Sequence, residues 1–152
     1  MELDPIDVRM GNYFEYNRTV KEILLEDLLQ LNLLLDSLKP IPLQPKYLTR
    51  LNFVTVTNHE SVRHYQKYTA GIYFNLFPKR DGSMSVYINT ELKLPHIAFI
   101  HQLQNVYYDL TGDILRRMPP AEIVLFKTIT PIPGKSFEKR SGPGKYRSIK
   151  KD

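Results

Sequence analysis

Cysteine is absent from the 152-residue sequence. That excludes a disulfide framework and a thiolate zinc site, and it fits a reducing compartment. Long apolar runs are missing too. The longest apolar-rich stretch, Ile23 to Leu38, is interrupted by Glu26, Asp27, Gln30, Asn32 and Asp36, so it cannot span a membrane. The opening MELDPIDVRMGN is acidic and has no apolar h-region, so no signal peptide is expected. There is no internal repeat. These absences lead to the expectation of a cytoplasmic protein with no membrane contact.

Excess charge is also missing from most of the chain. The formal net charge of +5 lies entirely in the last eighteen residues, KSFEKRSGPGKYRSIKKD. There Lys135, Lys139, Arg140, Lys145, Arg147, Lys150 and Lys151 face only Glu138 and Asp152, which leaves 14 basic and 14 acidic side chains in the first 134 residues. The sequence is a neutral body with a basic arm. The arm has too few apolar residues to offset the entropy of ordering, so it is expected to be flexible until it meets a polyanion or a partner surface. Tyr146 and Phe137 are interleaved with its cations. That mixture suits nucleic acid, and it equally suits docking on a protein surface.

Apolar spacing predicts the elements of the body. NYFEY (Asn12 to Tyr16) and Thr19 to Leu24 are expected as strands joined at Asn17-Arg18. Leu24, Leu28, Leu31, Leu35 and Leu38 recur at helical spacing, with Glu26 and Asp27 in the first turn and Pro40 ending the helix. Pro45 suits the first turn of a short helix that turns Leu48 and Leu51 inward. FVTVT (Phe53 to Thr57) alternates as a strand, and Asn58 to Thr69 is expected to be irregular. GIYFNLF and MSVYIN form strands around a tight Asp81-Gly82 turn, which places Lys79 and Arg80 at an exposed tip. The clearest helix runs from near Pro95 to Gly112, with an apolar stripe of Phe99 or Ile100, Leu103, Val106 or Tyr107, and Leu110. His101, Gln102, Gln104 and Asn105 form a polar surface beside that stripe, expected to be satisfied by water and neighbours or, in the sharper reading, to be a hydrogen-bonding contact face. After the two prolines at 119 and 120, Ala121 to Thr130 is expected as a late strand paired with its own sheet or, by preference, with another chain, giving a homo-oligomer.

Catalytic and metal motifs fail on spacing. Gly134-Lys135-Ser136 resembles the end of a phosphate-binding loop, but Ile129 stands where that loop needs glycine. His59-Glu60 and His64 differ from a zinc-protease helix, because the second histidine is at i+5 rather than i+4. That segment is expected to be a solvated loop. No oriented general base is visible. No enzyme activity, cofactor or metal is expected.

Several segments taken in order carry a resemblance. VRMGNYFEYN begins at Val8, VKEI at Val20, KPIPLQPKYLTRLNF at Lys39 and IHQLQNVYYDLTGD at Ile100. The series resembles a family of small, uncharacterised proteins from Bacteroidetes phages and prophage-like elements, across about residues 8–113. His-Gln-Leu-Gln-Asn with the trailing Leu-Thr-Gly is its most specific part. Gln44 and Asn52 depart from the family's threonine and glycine, and residues 114–152 extend past its usual end. The resemblance implies a phage or mobile-element origin and supplies no activity.

The expected fold class is α+β: a small antiparallel sheet or two hairpin units with two or three helices, then a C-terminal strand and the basic arm. Residues 1–118 are expected as the globular domain, 119–134 as linker and extension strand, and 135–152 as the arm. The expected function is non-catalytic binding in the infected host cytoplasm. The body would dock on a protein partner, while the arm, helped by Lys79 and Arg80, engages nucleic acid or a nucleoprotein for host takeover, replication or defence inhibition. The alternative is a virion component whose strand and arm lace into neighbouring subunits.

Overall fold

The structure, a computed structural model, describes residues 2–117. The 121–130 strand and all seven arm cations lie outside the described residues, as does Tyr146.

The fold is α+β, with two antiparallel sheets and four short helices among the described residues. Strands β1 (Tyr13–Tyr16) and β2 (Thr19–Glu22) form a hairpin. Asn17 and Arg18 turn it with φ of 52° and 66°, the left-handed pair that a two-residue turn needs. Helices α1 (Leu25–Leu29) and α2 (Leu31–Leu34) follow, then a 3-10 turn at Leu35–Ser37. One continuous helix was expected here. Gln30 leaves the helical region at φ −129°, ψ 33° and breaks it. Leucine lies on every side of this segment, so no single face can be buried. Leu28, Leu31, Leu34 and Leu35 pack on a small core, while Leu25, Leu29 and Leu33 stay exposed.

Helix α3 (Pro45–Arg50) starts on its proline and turns Leu48 inward, with Leu51 just beyond it. The second sheet has strand order β3-β4-β5-β6-β7: Val54–Thr57, Arg63–Thr69, Ile72–Pro78, Met84–Ile88 and Leu92–Leu94. Strand β4 corrects the expectation of an irregular segment over 58–69. Only Asn58 to Val62 is a turn, in which the Asn58 carboxamide oxygen accepts from the Glu60 and Val62 amides, both at 2.9 Å. Strand β4 lacks a hydrophobic pattern because, among the described residues, one face of this sheet carries no hydrophobic core. The expected hairpin of β5 and β6 is present, and Gly82 closes its turn at φ 89°. Lys79 and Arg80 are exposed there.

Helix α4 (Ile100–Thr111) begins five residues later than the pattern suggested, because Pro95 to Phe99 is not helical. Gly112 ends it in the left-handed conformation and donates to the Tyr108 carbonyl at 2.8 Å. Leu110 was expected on the apolar stripe but is exposed. Ile100, Leu103 and Tyr107 share a core with Phe74, Leu76, Val86 and Ile88 of the sheet, Leu48 of α3 and Leu51 just after it. A second core joins Leu3, Val8, Phe14, Ile23 and Leu38. Strand β1 serves both, with Tyr13 in the first and Phe14 in the second. No described helix is long and apolar enough to cross a membrane.

Candidate functional site

The reading of α4's polar residues as a contact face does not hold, and neighbours satisfy the carboxamides. His101, Gln104 and Asn105 are buried, and Gln102 is half-buried. Gln104 accepts from the Tyr13 amide at 2.9 Å and donates to the carbonyls of Gly11 at 2.9 Å and Leu115 at 2.8 Å. Asn105 accepts from the Asn12 carboxamide at 3.0 Å and donates to the Asp7 carbonyl at 2.8 Å. Gln102 reaches back to accept the Ala98 and Phe99 amides and so caps the helix. Arg9 adds an ion pair to Asp109 at 2.7 Å. The Arg-x-Gly-Asn and His-Gln-Leu-Gln-Asn segments therefore meet and lock the N-terminal segment to α4. Their polarity satisfies buried backbone groups rather than facing a partner.

The surface that faces outward lies on the second sheet. Alternation along β5 and β6 sends Phe74, Leu76, Met84, Val86 and Ile88 into the core. The intervening residues Tyr73, Asn75, Phe77, Ser85 and Tyr87 lie on the opposite face, where no residue of a described helix lines the cleft. Registry with β4 adds Gln66 beside Asn75 and Tyr68 beside Tyr73. His64 stacks on Phe77, with centroids 4.4 Å apart and planes 17° from parallel. Tyr87 meets the same phenyl ring edge-on at 5.7 Å. Tyr68 and Tyr73 pair at 4.5 Å. Cross-strand rungs of one face are roughly 7 Å apart. The face thus runs from an aromatic rung through an amide rung to a second aromatic rung.

A cleft of about 590 Å³ opens over the first two rungs. His59, His64, Gln66, Asn75, Phe77, Tyr87 and Asn89 contribute to its lining, with Asn58, Ser85 and Thr90. No carboxylate, ammonium or guanidinium is among these lining residues. The amides are oriented by a chain of hydrogen bonds. Asn75 donates to the Asn89 carbonyl, which turns its own oxygen toward Gln66, and Gln66 donates to that oxygen at 2.8 Å. Since Gln66 directs an N–H of its carboxamide at Asn75, its carbonyl oxygen is turned away from Asn75. His64 is only 7% exposed, and its Nδ1 is buried with no partner among the described residues. It was expected in a solvated loop and instead forms part of the cleft floor.

Charge collects at one end of this face. Strand β4 begins and β5 ends there; Lys79 and Arg80 are exposed just past β5, while Arg63, also exposed, alternates onto the face opposite His64. The acid at that tip, Asp81, is engaged by Ser83, whose amide and hydroxyl donate at 2.9 and 2.6 Å. Those bonds hold the Asp81 carboxyl below the usual carboxylate range.

Sequence reading missed His64, Gln66, Asn75, Phe77 and Tyr87 as a group. The signal was the opposite parity of the two strands around Asp81-Gly82, which puts every non-core residue of β5 and β6 on one face. Among the described residues, no three His, Asp or Glu side chains cluster as a metal site would require. Compared with known proteins, the chain matches no family model, no curated protein and no solved structure.

Proposed function

We propose that this is a non-catalytic nucleic-acid-binding protein of phage or mobile-element origin, acting in the host cytoplasm through the open sheet face and the basic arm. The observation that carries the reading is that face, where stacked aromatics and oriented amides lie beside a cationic edge. Aromatic faces accept bases of any sequence, and cations track the backbone. The arm contributes seven further cations. In this reading the sheet face replaces the polar side of α4 as the docking surface of the body.

Salt dependence tests it. If all seven arm cations meet phosphates, the slope of log K against log salt approaches about −6 on duplex DNA and about −5 on single strands. Binding should be weakly sequence-specific, because few base-reading side chains lie in the arm. The comparison is the full chain against a variant with its seven arm cations changed to glutamine, titrated with DNA and RNA at two salt concentrations. The variant should lose most of the slope. Lys79→Ala with Arg80→Ala should weaken binding modestly. Equal binding by full chain and arm variant, or none by either at low salt, overturns the arm's role and favours a protein target, as in a virion component.

A further inference from the structure

We infer that the cleft on the five-stranded sheet takes an unpaired nucleobase, so that the nucleic acid recognised is single-stranded. This rests on the nucleic-acid reading above and adds the form of the ligand. Three features of the cleft select for a base. The first is the stacked pair His64 and Phe77 with Tyr87 edge-on, a platform for a planar ring. Bases in a duplex are stacked on one another and cannot present their faces. The second is the absence of charge in the lining. A phosphate would call for cations inside, and a polyhydroxylated sugar for strong acceptors such as carboxylates. An uncharged heterocycle needs neither.

The third is the polar edge. The Gln66 carbonyl oxygen, turned away from Asn75, is an acceptor for a ring or exocyclic N–H. His64 supplies a buried imidazole whose Nδ1 lacks a partner among the described residues. The volume of about 590 Å³ lies within the range of small-ligand pockets. Lys79 and Arg80 at the adjoining hairpin tip then meet the backbone outside the cleft, where charge stays hydrated.

The test uses the full chain with three probes of equal length: a fluorescent oligothymidylate, an abasic strand of the same sugar-phosphate backbone, and a duplex. The base-bearing strand should bind at least about fivefold more tightly than the abasic one, the lower end of what one stacked base contributes. Gln66→Ala and Tyr87→Ala should bring its affinity down toward the abasic level without changing the salt slope. Thymidine monophosphate should shift the Gln66 and Asn75 side-chain amide resonances of the unaltered protein, a readout free of any folding defect in a variant. If the abasic strand binds as tightly as the base-bearing one and those resonances do not move, the cleft inference falls while polyanion binding stands. If no probe binds at low salt, the nucleic-acid reading falls with it.

Discussion

His101 packs against Phe14 at 4.8 Å and Phe99 at 6.0 Å, fully buried, with neither ring nitrogen paired among the described residues. Burial, opposed weakly by Asp7, pushes its pKa down to about 4 from 6.5. The unfolded chain therefore takes up a proton below about pH 6.5, which the folded chain refuses until about pH 4. Stability from this group is complete above about pH 6.5 and is lost as pH falls toward 4, by up to about 3 kcal/mol. Urea melts at about pH 7 and about pH 5 should show the loss, and His101→Leu should remove much of it while raising stability near neutrality. An absence of any change in slope between the two would count against a neutral buried imidazole. Gly11 is a second constrained position. Its φ is +91°, and a Cβ there would lie 2.7 Å from Ile114 Cγ2. Gly11→Ala should cost about 1–3 kcal/mol by both strain and overlap, measured as a fall in the denaturation midpoint. Neither role was legible from the residues alone. A histidine or glycine in sequence does not disclose which rings or side chains close around it from positions far along the chain.

Elements with a regular apolar pattern were legible: the hairpins β1–β2 and β5–β6, helix α3, and α4 with its glycine stop. Those that failed share a cause. Strand β4 carries His64, Gln66 and Tyr68 toward the open face and a half-buried Lys67 on the other side, so it shows no hydrophobic alternation. The leucine-rich segment failed in the opposite way, being apolar all round. The polar side of α4 was visible as a pattern, but its destination was not. Carboxamides that satisfy buried backbone look the same in sequence as carboxamides facing water. That difference is measurable. Gln104→Ala leaves the Tyr13 amide and the carbonyls of Gly11 and Leu115 without their partner, and should cost about 2–4 kcal/mol. Gln102→Ala removes only a cap and should cost about 1 kcal/mol. If Gln104→Ala proved as mild as Gln102→Ala in chemical denaturation, the locking role would be refuted.

Across the whole molecule, the two cores meet through shared elements. Strand β1 contributes to both, and α4 adds polar bonds from its buried side. A chain ending at Met118 should therefore melt in one cooperative transition, with far-UV and tyrosine signals coinciding; separate transitions would show the cores to be independent. The lock also has a consequence in time. Arg9 meets Asp109, Asn12 meets Asn105, and Glu22 meets Arg116, partners 100, 93 and 94 positions apart. On the ribosome the N-terminal hairpin and its leucines emerge first, and domains form as units once their parts are available. The Tyr13 amide and the Gly11 carbonyl must wait for Gln104, which leaves the exit tunnel near the end of the body. Until then the hairpin lacks its α4 partners and is bridged only locally, by Glu15 pairing with Lys39. Nascent chains stalled before α4 emerges should be protease-sensitive in their first forty residues, about the span of the second core, and should become resistant once α4 has cleared the tunnel.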